Sequence, residues 1–267
     1  MAISIAATAA APPIVRVLND GRFFFRAKDG TILTLVMLEL LAGRGGAPAY
    51  VAAATVEEAG RQGQDVPGAS VRAVPLKSGP GPAMDRNPTF FGQIYLQSGR
   101  NYLVRYVVND GAGDEMFLKS TLVGVPHLSG GFSASSVVPA ERFGPASPGD
   151  GPSPFHVGSE EVVPKAGGVF RRSEALKLYL QVYDARVDSV TSLSRVDVVF
   201  RFYRVIKGAS KRYGKPASVL GAAGLSLGLE LPISDWPPGS YRVVVALHDR
   251  IAAAHTSTEG SFSIVGD

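Results

Sequence analysis

Apolar and polar residues alternate in two similar stretches, one near the middle of the chain and one near its C-terminus. Residues 98–110 and 237–249 each contain a Gly turn, a Tyr soon after it, a run with apolar side chains at alternate positions, and a final Asp. A returning strand follows each stretch, at residues 116–125 and 254–265. A period of two between turn residues is typical of half-buried antiparallel strands. The repeat therefore predicts two hairpins in two similar β-sandwich units.

Residues 31–41 are apolar except for Glu39. Their Thr, Ile and Val content between neighbouring turns favours a central strand that is buried on both faces, although the length also permits a helix. Two turns are predicted from local composition. The Asn-Asp-Gly at residues 19–21 predicts a hairpin turn, and the basic stretch 207–217 predicts a hairpin loop.

Pro and Gly concentrate at residues 143–154, which is typical of a linker between domains. We therefore predict an all-β fold with two tandem immunoglobulin-like antiparallel β-sandwich domains. The predicted order is an extended N-terminal arm at 1–13, sandwich domain 1 at 14–142, a Pro/Gly-rich linker at 143–168 and sandwich domain 2 at 169–267.

The composition agrees with this organisation. A chain of 267 residues suits two domains, and 31 Gly and 19 Pro fit many short strands and turns. The net charge is only +4 and the basic residues are scattered, so we predict no nucleic-acid partner. No stretch reaches the ~18 apolar residues of a membrane span, so none is predicted. The absence of Cys excludes disulfides, thiolate catalysis and Cys-rich zinc sites.

Catalytic and metal-binding patterns are weak. No Gly-x-Ser-x-Gly occurs, and no His has an obvious Ser partner in the sequence. His248 and His255 flank the tip of the last predicted hairpin and lack an apparent third ligand, so we interpret them as exposed loop residues rather than a metal site. The acidic loop 109–115 departs from the calcium-binding pattern and is interpreted as a solvated turn. We predict no enzyme activity, no cofactor and no metal.

Three consecutive aromatic residues, Phe23, Phe24 and Phe25, cannot all face one side of a strand. At least one of them must meet solvent, the other domain or a partner. An interface and a core that covers both faces of the strand are equally good interpretations of this triplet.

Other aromatic residues are assigned to structure. Tyr102 and Tyr241 occupy equivalent places after a Gly turn, where a Tyr ring packs inward and its hydroxyl bonds the backbone at a sandwich corner. Trp236 stands beside two prolines before a strand, where we expect it to pack under a turn.

The N-terminal arm has its own pattern. Ile3 and Ile5 alternate with small residues, and Pro12 and Pro13 favour extended backbone. Residues 9–11 resemble a signal-peptidase site, but no basic residue precedes the apolar stretch. We interpret the arm as a remnant of an export signal or the start of a mature chain. The predicted interface residues are Ile3, Ile5, Pro12, Pro13, Phe23, Phe24 and Phe25.

Several segments together resemble a bacterial family. They are the two Gly-x-Tyr stretches, Leu-Val-Gly-Val-Pro-His-Leu-Ser-Gly at 122–130 and Ser-Ser-Val-Val at 135–138. They are similar to the non-catalytic C-terminal β-sandwich region of exported bacterial proteins that carry von Willebrand factor A-type or GWxTD-type domains. The resemblance spans most of residues 14–265 and implies an exported, non-enzymatic scaffold. The motifs Asp-x-Ser-x-Ser and GWxTD are absent, so metal-dependent adhesion is not implied.

These observations lead to two functional hypotheses. The first is a structural subunit that is extracellular, on the cell surface or periplasmic, and that associates with itself, in filament-like assemblies, or with other surface proteins. The alternative is a carbohydrate- or peptide-binding sandwich module of an exported protein, with its ligand bound by loops at the sandwich ends.

Overall fold

Nearly every described segment of the chain is a β-strand, as expected from the alternating patterns. The computed structural model describes residues 16–41, 50–60, 62–64, 72–78, 88–109, 115–147 and 153–267. Within them the one helical element is a 3-10 turn at Ala166–Gly168, and no helix is long and apolar enough to span a membrane. The strands are β1 Arg16–Arg26, β2 Ile32–Leu41, β3 Val51–Ala59, β4 Arg72–Ser78, β5 Thr89–Leu96, β6 Asn101–Asn109, β7 Glu115–Gly124, β8 Ser133–Ala134, β9 Val138–Pro145, β10 His156–Val157, β11 Glu160–Pro164, β12 Val169–Arg171, β13 Ala175–Tyr183, β14 Val196–Ile206, β15 Ala209–Ala222, β16 Ser226–Pro232, β17 Gly239–Asp249 and β18 Ala254–Val265.

The first seven strands form one sheet in the order β1-β2-β5-β4-β3-β6-β7. Only two residue pairs join β4 to β5, so the sheet folds over at this point. The half containing β2 and β5 and the half containing β3 and β6 contribute to a single apolar core, with side chains such as Val36, Ile94, Ala54 and Val104. This arrangement is an antiparallel sandwich, and it includes the predicted hairpin of β6 and β7.

The later strands form a second sandwich from two sheets. One has the order β10-β11-β9-β13-β16, with β8 also pairing to β13, and the other has the order β12-β18-β17-β14-β15. Alternate side chains of β13, β14 and β17 meet in the core between them, among them Leu178, Phe200 and Val245. The predicted all-β antiparallel sandwich fold is confirmed, as is the hairpin of β17 and β18.

A third apolar layer joins the two sandwiches. Leu33 and Leu35 of β2 lie on the opposite face from Val36 and pack with Val162 and Tyr179 of the second sandwich. A second small cluster contains Met37, together with the edge-to-face pair Phe91 and Phe155, whose ring centroids are 4.9 Å apart. Strand β2 is therefore buried on both faces, as its uninterrupted apolar sequence predicted.

Two local turn predictions were wrong. Residues 19–21 lie inside β1, where Asn19 pairs with Glu39 of β2. The chain instead reverses at residues 27–30, where Gly30 has a φ of +82°. The expected basic loop 207–217 is mostly strand β15, because the turn needs only Lys207 and Gly208, both with positive φ. Two such residues form the tight hairpin turn whose twist matches the flanking strands.

The segment interpreted as a linker, residues 143–168, contains β10, β11 and the end of β9. These strands pair with one another, and β9 pairs with β13, so they extend a sheet of the second sandwich. Strand β8 pairs with β13 as well. The predicted arm at residues 1–13 lies outside the described residues.

Candidate functional site

The three Phe residues are used inside the chain. Phe25 is fully buried in the layer between the sandwiches, and Phe23 packs against the same layer. Phe24 faces the opposite way and packs against the core of the first sandwich. The triplet therefore joins the two sandwiches, whereas Ile3, Ile5, Pro12 and Pro13 lie outside the described residues.

Polar contacts at the same junction close the edge of β1. The Phe24 N–H donates to Ser136 Oγ at 3.0 Å, and the Ser136 N–H donates to the Phe24 carbonyl at 3.1 Å. The Arg26 N–H donates to Tyr183 Oη at 3.0 Å, and the Arg26 guanidinium lies 2.6 Å from Asp184. Burial raises the pKa of Tyr183 above its ordinary value. Strand β1 is thus unavailable for pairing with a partner at these positions.

A cleft of about 390 Å³ lies beside this junction. Several of its polar side chains already have partners. Asn19 Nδ2 donates to Glu39 Oε2 at 2.6 Å, and Asp20 accepts from both Arg22 and Lys119 at 3.0 Å. The pair Asp20–Lys119 links β1 to β7 across the first sandwich, which is a structural role.

His248 and His255 are direct partners across β17 and β18. Their rings stack with centroids 4.2 Å apart and an interplanar angle of 6°. Asp197 of β14 lies directly opposite His248 on the other side of β17. Its oxygens are already used, because they accept from Gly221 N–H at 2.8 Å and from Arg250 Nε at 2.7 Å. The described residues contain no group of three or more potential metal ligands.

One contact between a Ser and a His side chain was not predicted from the sequence. Ser98 Oγ lies 3.4 Å from His127 Nδ1, and Ser98 Oγ also donates to the Pro126 carbonyl at 3.3 Å. Ser98 and His127 are 29 positions apart in the sequence. They meet because β6 and β7 pair antiparallel, which places the start of β6 beside the end of β7. No carboxylate of the described residues is hydrogen-bonded to His127, so the orienting group of a catalytic triad is missing from that part of the chain.

Both expected corner tyrosines are in place. The Gln97 N–H donates to Tyr102 Oη at 3.1 Å, and Tyr241 Oη donates to the Pro237 carbonyl at 2.6 Å. Trp236 packs under the preceding turn, with its ring 5.0 Å from Phe202 and 5.3 Å from Tyr241. Tyr241, Trp236 and Phe202 thus stabilise the second sandwich, and Tyr102 packs in the core of the first.

Asp249 is a buried charged residue that the sequence did not single out as buried. Its carboxylate accepts the N–H groups of Arg186 at 2.6 Å, Ile251 at 2.9 Å and Ala252 at 3.1 Å. Burial alone raises the pKa of Asp249, but these three donors outweigh it and lower the pKa below its usual value. The residue ties the β13–β14 loop to the β17–β18 turn.

The three sheets end in six strands, each of which pairs with only one described strand, namely β1, β7, β10, β12, β15 and β16. The edge of β1 is held by Ser136 and Tyr183, and β10 and β12 span only two and three residues. Strand β15 is protected, because Gly214 has a φ of +66°, Pro216 lacks an N–H and basic residues line it. Strand β16 is short and ends at Pro232. Strand β7 spans ten residues without Pro, and its Lys119 is already paired. It also exposes Leu122, so it is the least protected edge.

These features define an all-β fold in which antiparallel sheets pack as sandwiches, and β7 is the least protected sheet edge among the described residues. No protein-family model and no curated protein matches the sequence. A DUF4785 family protein from Legionella pneumophila is similar, with 12% identity, 86% of this chain and 52% of that chain covered, and a TM-score of 0.26. Red sea bream transglutaminase is similar with 10% identity, 95% and 32% covered, and a TM-score of 0.26. The chain thus spans about half of the first protein and about a third of the second.

Proposed function

We propose that this chain is a non-enzymatic structural protein that self-associates outside the cytoplasm. In this proposal, residues 1–13 of one copy pair as an added strand with the open edge of β7 in a neighbouring copy. Such head-to-tail contacts generate rings or filaments. The observation that carries the proposal is the unprotected edge of β7, which stands in contrast to the protected edge of β15.

The energetics favour pairing over docking of side chains alone. Burial of Ile3 and Ile5 stabilises by ~1.5–3 kcal/mol each, whereas ordering the backbone costs ~1–2 kcal/mol per residue. Main-chain hydrogen bonds to an open edge add the missing stabilisation. The resemblance to sandwich regions of exported proteins supports the same location and role.

Deletion of residues 2–11 is expected to weaken association while both sandwiches stay folded, because the deleted segment precedes every described strand. Light scattering on the truncated and full-length chains measures this, and circular dichroism checks the fold. Equal association of both chains would show that the arm is not the connector.

Cross-linking tests the acceptor edge directly, because the natural chain has no Cys. Mild oxidation of a mixture of Ser4→Cys and Ser120→Cys chains is expected to give a covalent heterodimer. A mixture of Ser4→Cys with Ser210→Cys is the matched control, since Ser210 is an exposed Ser on the protected edge of β15. Equal or preferential cross-linking to position 210 would contradict pairing at β7.

A further inference from the structure

Positive charge is concentrated on one hairpin of the second sandwich. Residues 201–215, which span most of the β14–β15 hairpin, include six basic residues and no acidic one. The whole chain has a net charge of only +4, so the remainder carries an excess of acidic residues. The hairpin is therefore a local basic surface that the total charge conceals.

Three arginines, two on the hairpin and one on the adjacent strand β17, lie near one tyrosine on the same face of the sheet. Tyr203 of β14 lies directly opposite Arg212 of β15 on one side and Arg242 of β17 on the other. Arg201 precedes Tyr203 by two positions and so shares its face of the sheet. Phe200 and Phe202 alternate with them and are buried in the core, which places all four residues on the outer face. Direct cross-strand neighbours have Cβ atoms about 5 Å apart, so Arg212 and Arg242 flank Tyr203 closely, and Arg201 lies two residues along the same face.

The guanidinium groups have donors to spare. Arg242 lies over the Tyr203 ring, 5.4 Å from its centroid. Its Nε is buried without a hydrogen-bond partner, but the side chain as a whole is 42% exposed. Its contact with Glu259 is long, at 3.6 Å, and that carboxylate is largely exposed. Neither Arg201 nor Arg212 forms an ion pair with another residue that the structure describes. Guanidinium groups of this kind bind carboxylate and sulfate oxygens in bidentate fashion.

We propose that this outer face binds an anionic polysaccharide that carries carboxylate or sulfate groups. An acidic peptide fits less well. A peptide would bind by pairing as a strand with the edge of β15, and Gly214 and Pro216 interrupt that edge. Serine side chains lie beside Arg242 on the same face of β17 and β18, and their hydroxyl groups suit sugar hydroxyls. These are Ser240, Ser261 and Ser263. The site is separate from the β7 edge and holds whether or not the chain self-associates.

The test uses full-length protein and biolayer interferometry at about 0.15 M salt, where weak surface attraction is screened. The probes are polygalacturonate and heparin as anionic glycans, dextran as a neutral glycan, polyglutamate as an acidic polypeptide and duplex DNA. The variant Arg201→Gln/Arg212→Gln/Arg242→Gln removes the site. The variant Lys207→Gln/Lys211→Gln/Lys215→Gln also removes three positive charges, all of them from the β14–β15 hairpin, but leaves the arginines in place.

We expect one or both anionic glycans to bind, and the arginine variant to lose about tenfold or more in affinity. The lysine variant should lose less than about threefold, as expected for exposed charges. An equal loss in both variants, equal or tighter binding of polyglutamate or DNA, or no glycan binding would overturn the proposal. Thermal unfolding checks each variant, and the single exposed substitution Arg212→Gln keeps the test valid if the triple variant unfolds.

Discussion

Replacement of Phe25 by alanine is expected to lower the free energy of unfolding by about 3–5 kcal/mol, the range for deleting a fully buried aromatic ring. The ring is completely buried in the layer between the sandwiches and lies 6.3 Å from the ring of Tyr179, centroid to centroid. Its loss leaves a cavity that the flanking strands cannot fill, because each is held by its own sheet. Denaturant unfolding followed by fluorescence and circular dichroism measures the change.

The same experiment reports on the junction itself. If the apolar layer couples the two sandwiches, their unfolding transitions should lie close together in denaturant concentration in the unmodified chain. In the Phe25→Ala protein the two transitions should lie further apart. Phe23→Ala is the matched control, since Phe23 lies on the same face of β1 but is only partly buried. We expect it to cost less than about 2 kcal/mol. Equal effects of the two substitutions would contradict the burial described for Phe25.

The second large effect is expected at Asp249. Asp249→Ala leaves three backbone N–H groups without their carboxylate and should cost about 2–4 kcal/mol. Asp188→Ala is the control, because Asp188 also accepts two backbone N–H groups, from Val190 and Thr191, but does so at the surface. We expect it to cost about 1 kcal/mol or less. Chemical denaturation at neutral pH compares the two variants.

Asp249 also predicts a dependence on pH. Its folded-state pKa lies below the unfolded value of about 3.9, so its contribution is complete above that value and is lost as the pH falls through the folded-state pKa. Asp249→Asn should therefore remove part of the acid-induced loss of stability below about pH 4. An unchanged slope of unfolding free energy against pH in this range would show that the carboxylate is not held as described.

Local patterns predicted the elements whose partners are close in sequence. The hairpins at β6–β7 and β17–β18 and the corner tyrosines Tyr102 and Tyr241 follow from alternation and a nearby turn. Strand β2 was predicted because burial on both faces leaves a continuous apolar run.

Long-range packing explains what the sequence did not reveal. The composition of residues 19–21 is typical of a turn, but these residues pair with β2 and are therefore part of a strand. The polar residues 207–217 show little alternation, because an edge strand with few buried side chains has little need of it. The arginines around Tyr203 come from three strands, and Arg242 is distant in sequence, so only the register of the sheet brings them together.

Sedimentation equilibrium of the full-length protein over a wide concentration range tests self-association most directly. The proposal predicts an average mass that rises above 28.0 kDa with concentration, and regular polymers in electron micrographs of the same samples. A mass that stays at 28.0 kDa at every concentration would contradict it.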